Sequence, residues 1–367
     1  MKKNKFIIAA LAAFTLTACS GNQAVEDRSN NQELTETNDE SVRDDAKDKD
    51  LEKEADSSSN DDNGEDKSAE DSQGKLTITD AHGEVEVPQN PKKVVALDNR
   101  TFDVLDAMDV DLLAAPKDVM PEDSSYVADD NVENIGNHRE PNLEVIAAMD
   151  PDLVIVGQRF ESYYDEIKDL VPNASVIDLN VDVSEEAESP GNNLIEGFMN
   201  STMVLGEIFD KEDKATELIE DLEESIENAS TAYDGGSVMG LIVSGGEIGY
   251  SAPKYGRVWG PIFEILELEP ALEVDHDSSD HKGDDISVEA IASSNPDYLL
   301  VLDRDAAVSS VEDAKPARDV LENSQALSKL EVVNKDRIYY APNDTYTNES
   351  IITFTDIFNG IADSFNK

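Results

Sequence analysis

LEVIAAMDPDLVIVGQR, residues 143–159, returns in altered form as VEAIASSNPDYLLVLDR at residues 288–304. Both copies carry a glutamate at the second position, a Pro-Asp pair in the middle and an arginine at the end. Each copy predicts a short amphipathic helix, a turn that ends it, and a continuously apolar strand typical of a buried parallel sheet. An offset of 145 residues is too long for a solenoid repeat. The pattern therefore predicts two similar α/β lobes.

The segment between the two copies predicts how the lobes are joined. Residues 193–210 have apolar side chains at helical spacing, among them Leu194, Phe198 and Leu205. A helix of this length spans ~25 Å, which is enough to bridge two lobes. We therefore expect two Rossmann-like lobes with central sheets, joined by one long rigid helix at 193–210. The helical pattern resumes after residue 211.

The start of the chain predicts an export signal. Residues 1–19 comprise a lysine-rich start, an apolar run and the sequence LTAC, which ends at Cys19. A small residue before such a cysteine resembles a bacterial lipobox, so Cys19 is the predicted lipidation site of a protein anchored outside the cytoplasmic membrane. The alternative is an ordinary secretory signal with an incidental cysteine. Because Cys19 is the only cysteine, no intramolecular disulfide can form.

The composition divides the rest of the chain. Residues 20–75 are acidic and polar with almost no large apolar side chain, which predicts a disordered tether. We expect an N-terminal lobe at 76–192 and a C-terminal lobe at 211–367. The net charge of −53 at pH 7 would repel nucleic acid and anionic membrane surfaces. We therefore expect no nucleic-acid partner and contact with the membrane only through the lipid. The protein is also expected to be a monomer.

The lipobox, the tether and the two lobes resemble a cluster of substrate-binding proteins that serve ATP-driven importers of iron siderophores, haem and cobalamin. Residues 135–167 and 286–308 in particular resemble the Gram-positive binders of catecholate siderophores such as petrobactin. The resemblance covers residues 76–367 and implies a class III periplasmic-binding-protein fold. It also implies no enzymatic cofactor, a ferric siderophore as ligand, and a location on the outer face of a Gram-positive cytoplasmic membrane.

The resemblance implies that Arg159, Arg257 and Arg304 line the ligand cleft. Guanidinium groups suit an anionic ferric catecholate because they stay ionised, are planar and stack on aromatic rings. Two of these arginines follow the repeated strands, where open α/β sheets bind ligands. The alternative for each is a surface salt bridge to a neighbouring carboxylate. Trp259 lies close to Arg257 in sequence and fits either the cleft or the core.

The resemblance further implies that His281 and Tyr346 complete the coordination shell of the siderophore's iron, for which imidazole and phenolate are suitable ligands. His281 lies in DHDSSDHKGDD, residues 275–285, whose other charged groups fit a solvated loop. The chain departs from the family here. One extra residue follows His281, and Thr347-Asn348-Glu349-Ser350 replaces a glycine-rich loop after the tyrosine.

Glu144 and Glu289, the repeated glutamates, match the residues of this cluster that contact the two permease subunits. The implied partner is an ABC permease dimer with its ATPase, and one glutamate on each lobe suits a two-fold partner. The alternative role is favourable interaction with the helix dipole in a first helical turn.

Enzymes, free-metal binders and receptors for other ligands require different sequence features. The chain contains neither GxSxG nor HExxH and no phosphate-binding loop with its lysine, which argues against an enzyme. A free zinc or manganese binder would draw on its four histidines, His82, His138, His276 and His281. Haem, hydroxamate siderophores and cobalamin are alternative ligands of the same fold, but the arginines favour a more anionic guest. We therefore predict capture of a ferric catecholate-type siderophore for import.

Overall fold

The computed structural model describes residues 74–121, 123–137, 140–274, 282–308 and 315–367, which belong to one compact unit. Several predicted features lie outside these residues: the signal at 1–19 with Cys19, nearly all of the tether at 20–75, and His138, His276 and His281. The lobe boundaries stay predictions.

The N-terminal half begins with an antiparallel hairpin of β1 (Lys75–Asp80) and β2 (Gly83–Pro88). Five parallel strands follow: β3 (Val94–Ala96), β4 (Ala114–Ala115), β5 (Glu133–Asn134), β6 (Leu153–Val156) and β7 (Ser175–Asp178). They form one sheet in the order β5-β4-β3-β6-β7. Its helices are α1 (Phe102–Ala107), α2 (Ser125–Ala128), α3 (Leu143–Met149) and α4 (Tyr164–Leu170), with short 3-10 turns at Lys117–Val119 and Glu161–Tyr163.

The long connection consists of α5 (Pro190–Phe209) and α6 (Glu212–Ala232). The first helix starts earlier than the predicted residue 193 because Pro190 occupies the first turn, where a missing N–H costs nothing. Asp210 ends it in the left-handed conformation, with φ of 58°. The apolar face predicted from the sequence is buried.

The C-terminal half repeats the architecture. Its strands are β8 (Ser237–Ser244), β9 (Glu247–Ser251), β10 (Glu269–Pro270), β11 (Tyr298–Asp303) and β12 (Ile338–Tyr340). Four of them are parallel in the order β10-β8-β11-β12, while β9 pairs antiparallel with β8. The helices are α7 (Trp259–Ile265), α8 (Val288–Ser294), α9 (Arg304–Ala307), α10 (Ala317–Asn323), α11 (Glu331–Asn334) and α12 (Ile351–Phe365), with a 3-10 turn at Leu327–Lys329.

The sequence repeat is a structural repeat. In the first copy α3 leads into β6, and in the second α8 leads into β11. Side chains of Asn142 and Ser287 cap the two helices by accepting hydrogen bonds from backbone N–H groups. Asp150 and Asn295 end them in the left-handed conformation, one residue before each proline. The predicted fold of two Rossmann-like lobes with a long connecting helix is therefore confirmed.

One hydrophobic cluster includes residues of both halves and packs around α5, α6 and α12. Phe198 of α5 packs against Phe354 of α12 with tilted rings whose centroids are 5.0 Å apart. Trp259 is fully buried, and its indole N–H donates to the Leu241 carbonyl at 3.1 Å. Trp259 therefore belongs to the core rather than to the cleft. No helix in the described ranges is long and apolar enough to cross a membrane.

Replacing Phe198 by alanine is expected to lower the free energy of unfolding by about 3–5 kcal/mol, because a buried aromatic leaves a cavity against Phe354. Chemical denaturation measures the change. Glu196→Ala, on an exposed position of the same helix, is the control and should stay within about 0.5 kcal/mol of the parent. Equal effects of the two variants would contradict the packing of α5 on α12.

Candidate functional site

Two of the three predicted arginines lie shortly after strands, and the third lies in a loop between a strand and a helix. Arg159 follows β6, and Arg304 begins α9 directly after β11. Both therefore lie where parallel sheets leave room for ligands, at the carboxyl ends of their strands. Arg257 lies in the loop between β9 and α7. All three side chains are partly buried.

Tyr346 is the point at which these arginines meet. The guanidinium carbons of Arg257, Arg304 and Arg159 lie 4.4, 5.0 and 6.0 Å from the centre of its ring. Its backbone carbonyl accepts hydrogen bonds from Arg159 Nη2 at 2.9 Å and Arg257 Nη2 at 3.2 Å. Tyr346 is only 7% exposed. The structure thus brings four of the predicted site residues together.

A buried carboxylate beside this cluster was not predicted. Glu349 is hydrogen-bonded and ion-paired to Arg257 Nη2. It also accepts from Gln158 Nε2 at 3.2 Å, and Arg100 Nη2 lies 3.8 Å from it. Glu349 is 5% exposed. The sequence contained a signal for this residue, because Glu349 belongs to the four-residue segment that replaces the glycine-rich loop of the family.

Arg100 is a fourth arginine of the cleft that the sequence analysis missed. It lies shortly after β3, and the strand-end argument applied to Arg159 and Arg304 would have found it. Its side chain is 4% exposed, and it contributes to the wall of the cavity described below. The four arginines therefore come from both halves of the molecule.

The charges in the cluster shift one another's pKa values. Burial pushes the pKa of Glu349 upward, but the guanidinium groups of Arg257, Arg100 and Arg159 outweigh burial and hold that pKa below its usual range. Burial lowers the pKa of Arg159, and Glu349 opposes this shift. Glu349 is therefore ionised at neutral pH and compensates part of the positive charge.

Several guanidinium N–H groups have no acceptor within the described ranges. They are Nε of Arg159, Arg257 and Arg304, and both Nε and Nη1 of Arg100. A buried donor without an acceptor is unfavourable, and a bound anion would relieve that cost. These donors are the groups available to a ligand.

A cavity of about 480 Å³ opens beside the cluster. Its wall contains the charged side chains of Arg100, Arg257, Glu161, Asp182 and Glu349, the amides of Gln158 and Asn180, and the apolar side chains of Leu194 and Phe354. This volume lies in the range of small-molecule sites.

The segment around Glu349 is fixed from the N-terminal half as well. Asp103 on α1 accepts from Asn348 Nδ2 at 2.7 Å and from Ser350 Oγ at 2.9 Å. Ser350 also caps α12 by accepting from the Thr353 N–H. Tyr346 and Glu349 therefore lie in a segment held by both halves.

The metal hypothesis rests mainly on residues that the structure does not describe. His281, the second predicted iron ligand, lies outside the described residues, as do His138 and His276. His82 stacks on Tyr164 at 3.9 Å and contacts Asp178 Oδ2 at 3.1 Å. Within the described part of the chain, no group of three or more His, Cys, Asp or Glu side chains could hold a metal ion.

Glu144 and Glu289 both lie in first helical turns, as predicted, on α3 and α8. Both side chains are exposed. Neither forms an ion pair with another described residue. The surface role predicted for them stays a prediction.

Known proteins are similar to this chain in sequence and fold. The profile of the periplasmic binding protein family matches residues 94–345. The petrobactin-binding protein YclQ of Bacillus subtilis is 31% identical over 280 residues, which cover 74% of this chain and 82% of YclQ. The ferric-anguibactin-binding protein FatB of Vibrio anguillarum is 27% identical over 65% of this chain and 70% of FatB. The crystal structure of YclQ superposes with a TM-score of 0.68 at 27% identity, covering 80% of this chain and all of YclQ's.

Asp98 is expected to make stability depend on pH. It is fully buried, and burial raises its pKa from 3.8 to about 7. Between about pH 4 and 7 the Asp98 carboxyl therefore keeps its proton in the folded protein but loses it in the unfolded chain. The contribution of Asp98 to stability is lost as the pH rises through this range. Asp98→Asn removes this titration.

Denaturant unfolding of the parent and Asp98→Asn should be compared between pH 4 and 8. As the pH rises, the parent is expected to lose stability while Asp98→Asn does not. The free energy of unfolding of the variant should therefore increase relative to that of the parent by up to a few kcal/mol. Parallel pH profiles would contradict a neutral buried Asp98. Asp130→Asn, at an exposed position, is the control and should follow the parent.

Proposed function

The chain belongs to the periplasmic binding protein family, and from this we propose that it captures a ferric catecholate-type siderophore outside the cell and delivers it to an ABC importer. The protein binds its ligand and releases it unchanged. The similarity to binding proteins for petrobactin and ferric anguibactin supports this proposal.

The observation that carries the proposal is the convergence of Arg159, Arg257 and Arg304 on Tyr346. In a chain of net charge −53, an anionic ligand is repelled at long range. Positive groups concentrated in a partly buried cleft offset that repulsion at short range, where the effective dielectric constant is low. Guanidinium groups can also interact with the faces of catechol rings, as those of Arg257 and Arg304 lie over the ring of Tyr346.

The alternative ligands fit this cleft less well. Ferric hydroxamates are commonly neutral or cationic and gain little from clustered arginines. Haem would need an axial ligand in an apolar pocket, whereas this cavity has arginine, glutamine and asparagine side chains on its wall. A bare zinc or manganese ion would be repelled by the arginines, although the histidines outside the described residues keep this alternative open to test.

Tyr346 and His281 are proposed to complete the coordination shell of the siderophore's iron. Tyr346 lies at the centre of the arginine cluster. Its hydroxyl has no hydrogen-bond partner among the residues that the structure describes, which leaves it free to bind iron. His281 enters the proposal from the resemblance alone.

The mature protein is proposed to be a monomer, anchored by lipid on Cys19 to the outer face of a Gram-positive cytoplasmic membrane. Glu144 and Glu289 are proposed to contact the two subunits of the permease, whose ATPase drives import. Their exposure on two equivalent helices supports this role.

Binding of a ferric catecholate should weaken at least about ten-fold in Arg304→Ala, because charge-assisted hydrogen bonds and stacking are lost. Tryptophan and tyrosine fluorescence of the purified protein measures the affinity. Arg318→Ala is the matched control, since Arg318 also lies over a tyrosine ring, Tyr340, at 4.4 Å but on α10 outside the cleft.

The same titration should include a ferric hydroxamate, haemin and zinc. Saturation by the ferric catecholate alone is the expected result. Saturation by haemin or the hydroxamate alone would overturn the charge argument, and saturation by zinc alone would overturn the siderophore proposal. Equal losses in Arg304→Ala and Arg318→Ala would contradict the cleft assignment.

Charge reversal at both docking positions, Glu144→Arg with Glu289→Arg, is expected to abolish most uptake of radioactive iron by cells while leaving ligand affinity unchanged. Attraction to the permease becomes repulsion at two sites. Glu166→Arg with Glu223→Arg reverses two other exposed charges, one on α4 and one on α6, and should leave uptake near the parent rate. Normal uptake by the first variant would contradict the docking proposal.

A further inference from the structure

A carboxylate of the protein itself occupies part of the cluster that would receive an anionic ligand. Glu349 is paired with Arg257, accepts from Gln158 and lies 3.8 Å from Arg100. We propose that Glu349 is a resident anion that sets the charge selectivity of the cleft, so that chelates of low negative charge are favoured over highly charged ones. This inference names the ligand class of the site and rests on the proposed function.

The burial of Glu349 shows how firmly the carboxylate is held. A buried carboxylate is costly unless it is paired and hydrogen-bonded. Glu349 is 5% exposed and has partners on both oxygens: Arg257 at Oε1, with Gln158 and Arg100 at Oε2. Two of these partners lie in the N-terminal half. A ligand must therefore share these partners with Glu349 or displace it.

Arg100 indicates that the paired groups face a ligand and do not form a closed core ion pair. Its side chain is 4% exposed and lies on the wall of the cavity. Within the described residues, its Nε and Nη1 have no acceptor. Glu349 thus uses only part of the donor capacity of Arg100. The remaining N–H groups are available to an anion in the cavity.

The effect of Glu349 on a ligand depends on the ligand's charge. Coulomb energy is proportional to the product of the two charges. The unfavourable effect of Glu349 on binding is therefore about three times larger for a trianion than for a monoanion, and close to zero for a neutral complex. A residue that acted only by shape would not produce this graded dependence.

Iron complexes offer such a series. Ferric iron bound by three catecholates is a trianion, ferric iron bound by two catecholates with open sites is a monoanion, and a ferric tris-hydroxamate is neutral. The two-catecholate complex also leaves sites on iron for protein ligands. Glu349 would thus favour the two-catecholate class over the three-catecholate class.

The test is Glu349→Gln in the full chain, with affinities measured by fluorescence for the three classes of complex. Glutamine keeps the size of the side chain and removes its charge. Affinity for the three-catecholate complex is expected to rise about ten-fold or more. Affinity for the two-catecholate complex should rise by a smaller factor, and the response to the neutral hydroxamate should stay unchanged.

Two further variants guard against a structural explanation. Glu166→Gln removes the same charge from an exposed position on α4. It should not alter the ratio of the affinities for the three-catecholate and two-catecholate complexes. Arg100→Gln should shift the ratio in the opposite direction, against the trianion. An unchanged ratio in Glu349→Gln, or an equal change for all three complexes, would overturn the inference.

Inorganic pyrophosphate provides a probe that does not depend on a siderophore. Glu349→Gln is expected to bind it several-fold more tightly than the parent, because pyrophosphate is highly anionic. If the parent binds no ferric catecholate but the variant gains pyrophosphate affinity, the proposed function fails and the role of Glu349 stands. No gain with pyrophosphate or the trianion would overturn that role.

Discussion

Mutual repulsion of guanidinium groups is the constraint around which the cleft is built. Arg159, Arg257 and Arg304 lie around one tyrosine ring, and Arg100 lies close by. Partly buried like charges stay together only if other groups stabilise them. The π-face and backbone carbonyl of Tyr346 and the carboxylate of Glu349 provide that stabilisation. The compensation is incomplete, and the donors left over are those that a ligand can use.

Both halves of the molecule must be held in place for this cluster to exist. The N-terminal half supplies Arg100, Gln158 and Arg159, whereas the C-terminal half supplies the other two arginines and the segment from Tyr346 to Ser350. The contacts of Asp103 with Asn348 and Ser350 join that segment to α1. Packing of α5, α6 and α12 in one hydrophobic cluster maintains the arrangement. A mutation that loosens this packing would therefore disturb the cleft without touching it.

The surface of the protein and its arginine cluster carry charge of opposite sign. A surface rich in carboxylates gives the chain its net charge of −53 and discourages contact with polyanions. Around the Tyr346 ring the local sign is opposite, because four arginines outnumber the buried carboxylate of Glu349. A receptor for an anionic chelate needs this inversion, since attraction must act only at short range. Reversible release to an importer also requires that attraction be limited, which is the role proposed for Glu349.

The sequence alone determined the repeated helix-turn-strand units, the long helix and the positions of Arg159 and Arg304 after their strands. These features follow from local hydrophobic periodicity, proline placement and strand direction, which need only neighbouring residues. Tyr346 and Arg257 were predicted from a family resemblance. Only the three-dimensional structure shows that they lie close to the other arginines. Arg100 and Glu349, 249 positions apart, were missed. Whether a charged side chain is solvated on the surface or buried against a distant partner depends on packing between halves of the chain, and only the tertiary structure decided that.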